Sequence, residues 1–397
     1  MPTIPALISV KSNQPDFLDL PWSIPLAEWQ KSTERLVEVP RGLSRHPVVF
    51  VHYDSGVYAL KELPVDVAEK EYNLLNQMFN DRLPVVKPFG FIKLNNSWGN
   101  TSILITHYLE FSQPYRSLII GSSMERLKEN FLDAMAGLLV QLHLAGVFWG
   151  DCSLSNTLFR RDAGTLQAYL VDAETAEIKQ ELPADLRFED LKIMEENVSG
   201  DLADLAASRL LPPNFMIFEI APSIHRRYLR LWDEINREEV IAPNERFRIQ
   251  ERIRALNELG FSVGELEIQA TDAGDQLRMR AMVTDRNFHR DRLHSLTGLD
   301  AEEQQARKMM NEIQELNATL VKENNRSTPV GIAAYQWLER IYQPAIQKLQ
   351  PLIERNKADP AELYCQVLEH KWYLSEKAKH DVGHDTTIRD YLDNFGR

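Results

Sequence analysis

Four stretches of this 397-residue chain carry side chains whose types and order suit one kind of chemistry. Tyr58-Ala59-Leu60-Lys61 reads as a strand. Its alternation puts Ala59 and Lys61 on one face, where a small residue can admit a flat base while the ammonium reaches phosphates. Gly150-Asp151-Cys152-Ser153-Leu154-Ser155-Asn156 is a polar loop. Asp151 there can accept or orient a hydroxyl proton, and Asn156 can hold a hard cation. Asp172 ends the apolar run Ala168-Tyr169-Leu170-Val171. A carboxylate in that place is costly unless it is paired or on a metal. Glu69 and Glu71 precede the loop on a helical stretch, and Glu71 shares its side with Leu74, Leu75 and Met78, which makes it the preferred partner of Lys61. A cation, oxygen ligands for a metal and an orienting carboxylate are the parts that phosphoryl transfer from a nucleotide requires.

These residues need elements to hold them. Val48 to Tyr53, the turn Asp54-Ser55-Gly56 and Val57 to Leu63 form a hairpin signature. Residues 66–80 read as a helix, followed by strand-like runs from Val85 to Leu94 and from Ile103 to Leu109. Tyr108, near the end of the second run, is counted with the nucleotide-binding residues. A long amphipathic helix is expected over 123–145, with Leu127, Phe131, Met135, Leu138, Leu139 and Leu142 as its stripe and Gly146 as its stop. Beyond Val171 the chain turns helical and acidic up to Leu211-Pro212-Pro213.

The expected division is therefore an irregular arm over 1–34, a domain over 35–212 and a mostly helical domain over 213–397. The arm carries Phe17, Leu18, Leu20 and Trp22 as apolar anchors. The last domain should hold an α-β-β unit at 245–283, with Asp272-Ala273-Gly274-Asp275 turning a hairpin. It should also hold helix starts at Asp300 with Glu303 and at Asp359-Pro360 with Glu362.

Composition narrows the function classes. Lys and Arg total 45 against 58 Asp and Glu, a net charge of −13. That acidity argues against nucleic acid or an anionic membrane as the default partner. Two cysteines, Cys152 and Cys365, build no disulfide framework. Neither a leader pattern nor an apolar run of about 18 residues is seen, so a soluble cytoplasmic protein without a transmembrane segment is expected. His289 and His294 are five apart, unlike the usual metal-helix spacing, and with Arg286, Arg290 and Arg292 they read first as a solvated helix face. Cys152 reads as a packing residue, and Trp337 and Trp372 as core.

Taken with their order, Lys61, Glu71, Asp151, Asn156 and Asp172 make the chain resemble the lipopolysaccharide-kinase-like branch of the protein-kinase superfamily, seen in bacteria. Here it is joined to a C-terminal domain of unknown function, a likeness carried by segments such as 252–261, 296–299 and 368–376. The resemblance implies an α+β fold, with a β-rich N-lobe and a helical C-lobe, and a kinase activity using ATP and Mg²⁺. It implies Asp151 and Lys61 as catalytic residues and Asn156 and Asp172 as metal ligands. Ala59, Gly42 and Tyr108 would join them around the nucleotide, Gly42 within Arg41-Gly42-Leu43-Ser44-Arg45-His46 as the loop over the phosphates. Trp149 stands where the family has a histidine, the phosphate loop keeps one glycine, and Ala173-Glu174 follows Asp172 in place of an aromatic and a glycine. No peptide-docking signature follows Asp172. That favours a small-molecule, sugar or lipid-linked acceptor over a protein one, with the C-terminal domain open to a protein partner. Two other readings share the site: a nucleotide-binding pseudokinase that serves as a regulatory or partner-binding module, and AMP transfer.

Overall fold

The computed structural model describes residues 7–10, 15–40, 44–96, 99–120, 124–211, 215–237, 239–241, 251, 265–270, 277–282, 287–324 and 326–395. It divides into two compact units, one of residues 1–160 and 166–232, the other of 161–165 and 233–397. The sequence-based boundary at 212–213 falls inside the first unit.

The first unit opens with a five-stranded antiparallel sheet in the order β1-β4-β5-β3-β2. Its strands are β1 (Leu7–Val10), β2 (Val48–Tyr53), β3 (Gly56–Pro64), β4 (Pro88–Asn96) and β5 (Gly99–His107). The β2–β3 hairpin pairs Val48 with Lys61 and Tyr53 with Gly56. Helix α1 (Val67–Asn80) follows β3 and buries Ala68, Glu71, Leu75 and Met78, a spacing of three and four residues that makes one face.

The expected irregular arm is more ordered than its prolines suggest. Residues 7–10 add to the sheet as an edge strand on β4. Pairing of this kind joins residues more than eighty positions apart, so a local pattern cannot announce it. Phe17, Leu20, Trp22, Leu26 and Trp29 are buried in one cluster with Tyr58, Leu60, Ile103 and Ile105. Phe17 meets Tyr53, Tyr58 and Phe89 edge to face at 5.0–5.3 Å. The expected anchor Leu18 is 57% exposed. Because Leu60 packs against the arm, its neighbours Ala59 and Lys61 occupy the opposite face of the sheet.

The helical part of this unit begins with α2 (Tyr115–Ile120) and α3 (Met124–Leu144). From Phe131 to His143 nearly every α3 residue is buried, which makes it a core helix. Gly146 stops it with φ +78°, and a Cβ there would sit 2.0 Å from the Lys179 carbonyl oxygen, so glycine is required. Short strands then frame the loop at 149–156: β6 (Gln113–Pro114), β7 (Val147–Phe148), β8 (Thr157–Asp162), β9 (Thr165–Leu170) and β10 (Glu177–Ile178). Strand β6 pairs with β8, and β7 with β10. Val85, expected at the start of a strand, instead forms a parallel bridge to Leu170. Helices α4 (Ala184–Ala207) and α5 (Ile217–Asn236) follow.

In the second unit, β11 (Glu239–Ile241), β12 (Glu265–Ala270) and β13 (Leu277–Met282) form an antiparallel sheet in the order β11-β13-β12. The expected helix at 245–260 and the hairpin turn at 272–275 lie outside the described residues. The helices are α6 (Phe288–Thr297), α7 (Glu303–Asn324), α8 (Val330–Trp337), α9 (Gln343–Asn356), α10 (Pro360–Ala378) and α11 (Gly383–Phe395). Their core gathers Met309, Met310, Ile313, Trp337, Leu349, Tyr364 and Ile388. Partly buried Glu312 accepts hydrogen bonds from Trp337 Nε1 (3.1 Å) and the Tyr364 hydroxyl (2.6 Å), with His384 Nε2 at 3.0 Å.

Two expectations for this unit need correction. Trp372 is 65% exposed, because the inward residues of α10 end near Val367 and its second half runs beyond the core. Asp359 does cap α10, accepting from Ala361 N at 2.9 Å, but Asp300 does not cap α7. Asp300 lies three residues ahead of that helix and approaches His294 at 3.2 Å. The acceptor for α7 comes from the turn at 161–165: Asp162 accepts from Gln304 N (3.1 Å) and Gln305 N (2.8 Å).

Burial, with Glu302 and Glu362 nearby, pushes the Asp162 carboxyl up to about 8, from an ordinary value of 3.8. The folded state therefore holds a proton between those values that the unfolded chain releases. Its stabilising contribution is complete below the lower value and is lost as pH rises through the upper one. Wild-type Tm should fall between pH 5 and pH 9, and Asp162→Asn should flatten that slope. Asp162→Ala, which removes both acceptors, should cost about 1–2 kcal/mol at pH 7.

Candidate active site

Lys61 on β3 meets Glu71 on α1, with Nζ 3.3 and 3.2 Å from the two carboxylate oxygens. The same ammonium donates to Asp172 Oδ2 at 2.6 Å. Glu69, the other acidic candidate, pairs with Lys93 instead, at 2.7 Å. Burial disfavours the Lys61 charge, yet the attraction of Glu71 and Asp172 outweighs it and the ammonium is held above its usual range. Burial pushes Glu71 up, to about 7, against the pull of Lys61. Asp172 is partly buried, which works to raise its carboxyl, but Lys61 brings it below the usual range. Glu71 Oε1 further accepts from Ala173 N at 3.1 Å, which ties α1 to the segment after β9.

The loop at 149–156 is held from several sides. Asn156 Nδ2 donates to the Asp151 carbonyl (3.1 Å) and to Asp151 Oδ2 (3.0 Å), which leaves the amide oxygen of Asn156 for another partner. Trp149 is fully buried, and its indole N–H donates to the Asp172 carbonyl at 3.0 Å. The indole thus joins this loop to the strand end that carries Asp172. Trp149→Phe keeps the ring but loses that bond, and a stability loss of about 1 kcal/mol with reduced turnover is expected from melting and activity assays. Gly150 has φ +77° and its Cβ position lies 3.1 Å from both the Phe148 ring and the Thr175 carbonyl oxygen, so a side chain would be strained there.

Three residues that sequence reasoning missed sit on α4. Asp190, fully buried, accepts from Trp149 N and Gly150 N at 2.8 Å each and from the Cys152 thiol at 3.2 Å. His143 Nε2 lies 3.1 Å from Asp190 and its Nδ1 lies 2.8 Å from the Tyr228 hydroxyl. A carboxylate only accepts, so Nε2 carries the proton and Tyr228 donates to Nδ1. Burial keeps His143 below its usual range and therefore neutral. Asp201 accepts from Leu154 N (2.9 Å) and Ser155 N (3.1 Å), and burial raises its carboxyl. Asn197 Nδ2 donates to Asp151 Oδ1 at 2.9 Å. Their sequence signal is a polar residue at 190, 197 and 201 on the side of α4 that buries Met194 and Val198.

Asp151, Asn156 and Asp172 line one cavity of about 240 Å³, together with Arg45, His46, Ser155, Asn197 and Asp201 among others. His46 Nε2 lies 3.4 Å from Glu174. Ala59 and Tyr108 are not among the lining residues; the Tyr108 amide bonds to the Val57 carbonyl. Gly42 lies outside the described residues. Cys152 is buried with its thiol pushed far up, which suits packing. His289 faces Glu303 at 2.7 Å, and among the described residues no cluster of three or more His, Cys, Asp or Glu could hold a metal. The donor set of Asp172 and the Asn156 amide is oxygen-only. It fits a hard divalent cation that takes its remaining ligands from phosphates and water.

A β-rich lobe with a lysine–glutamate pair, followed by a helical lobe with an Asp–Asn loop, is the arrangement of a protein-kinase-like domain. Residues 52–209 match the Lipopolysaccharide kinase (Kdo/WaaP) family, and residues 230–395 match a domain of unknown function, DUF4032. The first of these matches lies over the lobes that carry the candidate site, and the second over the C-terminal helices. Among solved structures it is similar to one described as WaaP in complex with acyl carrier protein, at 14% identity and a TM-score of 0.37, covering 64% of this chain and 99% of that one. No curated protein matches it. Among the described residues no helix is long and apolar enough to cross a membrane.

Proposed function

We propose that residues 35–212 form an ATP- and Mg²⁺-dependent phosphotransferase that moves the γ-phosphoryl group to a hydroxyl of a polar acceptor. The observation that carries this reading is the convergence of Asp151, Asn156 and Asp172 on one cavity, with Lys61 bonded to Asp172 beside it. The match of residues 52–209 to a kinase family supports it.

Lys61, fixed by Glu71, holds the nucleotide's phosphates. Asn156 and Asp172 would hold Mg²⁺, which supplies neutralisation of the phosphate charge. Asp151 orients the acceptor hydroxyl and takes its proton as the new O–P bond forms and the bond to the ADP oxygen breaks. Ala59, on the same face of β3 as Lys61, would flank the nucleotide's base. Every described residue lining the cavity is polar, which suits a small hydrophilic acceptor rather than an acyl chain or aromatic group.

The test is to incubate the full chain with Mg-ATP carrying label at the γ- or the α-phosphate, with and without cell extract and EDTA. Transfer or release of the γ-label, abolished by EDTA, is expected. Label from the α-phosphate on the acceptor with pyrophosphate release would mean AMP transfer. Binding of ATP without turnover would mean a nucleotide-binding module, and absence of binding would end the reading altogether.

A further inference from the structure

Helix α4 acts on the loop at three points, and they are not equivalent. Asp190 and Asp201 engage loop backbone at Trp149, Gly150, Leu154 and Ser155. Asn197, between them, has a described bond to the carboxylate of Asp151 itself. That carboxylate thus receives two amide donors, Asn197 on Oδ1 and Asn156 on Oδ2, at 2.9 and 3.0 Å. The donors come from different elements, one on the loop and one on a helix 46 residues away.

A carboxylate on a single donor can still swing about its terminal torsion, which is broad and roughly two-fold. Donors on both oxygens fix the plane of the group. Each oxygen keeps a further acceptor site. Asn197 lines the same cavity as Asp151, so it acts where the acceptor would enter.

We infer that Asn197 is a positioning residue that sets the orientation of the Asp151 carboxylate, an inference that rests on the phosphotransfer reading above. Loss of its amide should leave the loop backbone in place, because Asp190 and Asp201 hold that independently.

The experiment compares wild type, Asn197→Ala and Asn197→Asp in the full chain. For Asn197→Ala, kcat should fall roughly tenfold with KM for ATP and the melting temperature little changed. Asn197→Asp should lower kcat at least as far, since a carboxylate cannot donate to Asp151 and sets a second negative charge against it. In parallel, the ¹³C chemical shift of the Asp151 carboxylate at one fixed pH should change in Asn197→Ala whether or not the protein turns over. An unchanged kcat and an unchanged carboxylate chemical shift would overturn the inference. So would a collapse of ATP binding and melting temperature in Asn197→Ala, which would mark a purely structural role. A wild-type protein without turnover would instead defeat the phosphotransfer reading, and the carboxylate chemical shift would still decide whether Asn197 holds Asp151.

Discussion

Replacing Asp151 by alanine is expected to lower γ-phosphoryl transfer by about 10²–10⁴-fold while ATP still binds. The two halves of that result have separate physical origins. Asp151 bonds to Asn156 and Asn197, whereas the ammonium of Lys61 is engaged by Glu71 and Asp172. Removing Asp151 would therefore take away the proposed acceptor of the hydroxyl proton and leave the Lys61 ammonium paired as before. Stabilisation by ATP, read as a rise in melting temperature, should persist in the variant. Asp151→Asn should be nearly as inactive, because its amide would retain the shape but not the basicity, and would set an N–H against one of the neighbouring amide donors. A variant with wild-type turnover would remove Asp151 from the chemistry.

Asp190→Ala should have the largest effect on stability. Its carboxylate accepts from two backbone N–H groups and a thiol, and it faces the neutral His143 ring, all in a site without solvent access. Deleting it strands the Trp149 and Gly150 amides and the His143 N–H, each of which must be desolvated without a partner. The total should be about 3–5 kcal/mol, or a fall of roughly 6–20 °C in Tm for a unit of this size. Turnover should fall with it, since the loop that carries Asp151 loses its anchor. Asp190→Asn should lie between the two, because its amide nitrogen would face a backbone N–H. Thermal melts of the three proteins, with and without ATP, measure this; an unchanged Tm for Asp190→Ala would refute the anchoring role.

Much of this protein is legible in the sequence where the governing interactions are local. The β2–β3 hairpin, α1 and α3 follow from alternation, helical periodicity and a glycine stop, and the structure has them at nearly the expected positions. Placing Glu71 rather than Glu69 beside Lys61 also needed only the inward side of α1, where Leu75 and Met78 lie. The Asp151–Asn156 contact spans five residues and is equally local.

The tertiary structure decided what depends on distant partners. Periodicity marks α4 as a helix but cannot say that its 190, 197 and 201 positions clasp a loop some forty residues earlier. It cannot show that Leu7–Val10 completes a sheet through β4, or that Asp162, not Asp300, supplies the acceptor for α7. Nor does it tell that the core ends before Trp372. In each case the chain's local preferences are satisfied by several arrangements, and the choice among them falls to buried polar groups that must find partners and apolar faces that must find cover. From its sequence the chain has the parts of the proposed nucleotide site in order; only the folded protein brings Asp151, Asn156 and Asp172 to one cavity, with Asn197 of α4 beside them.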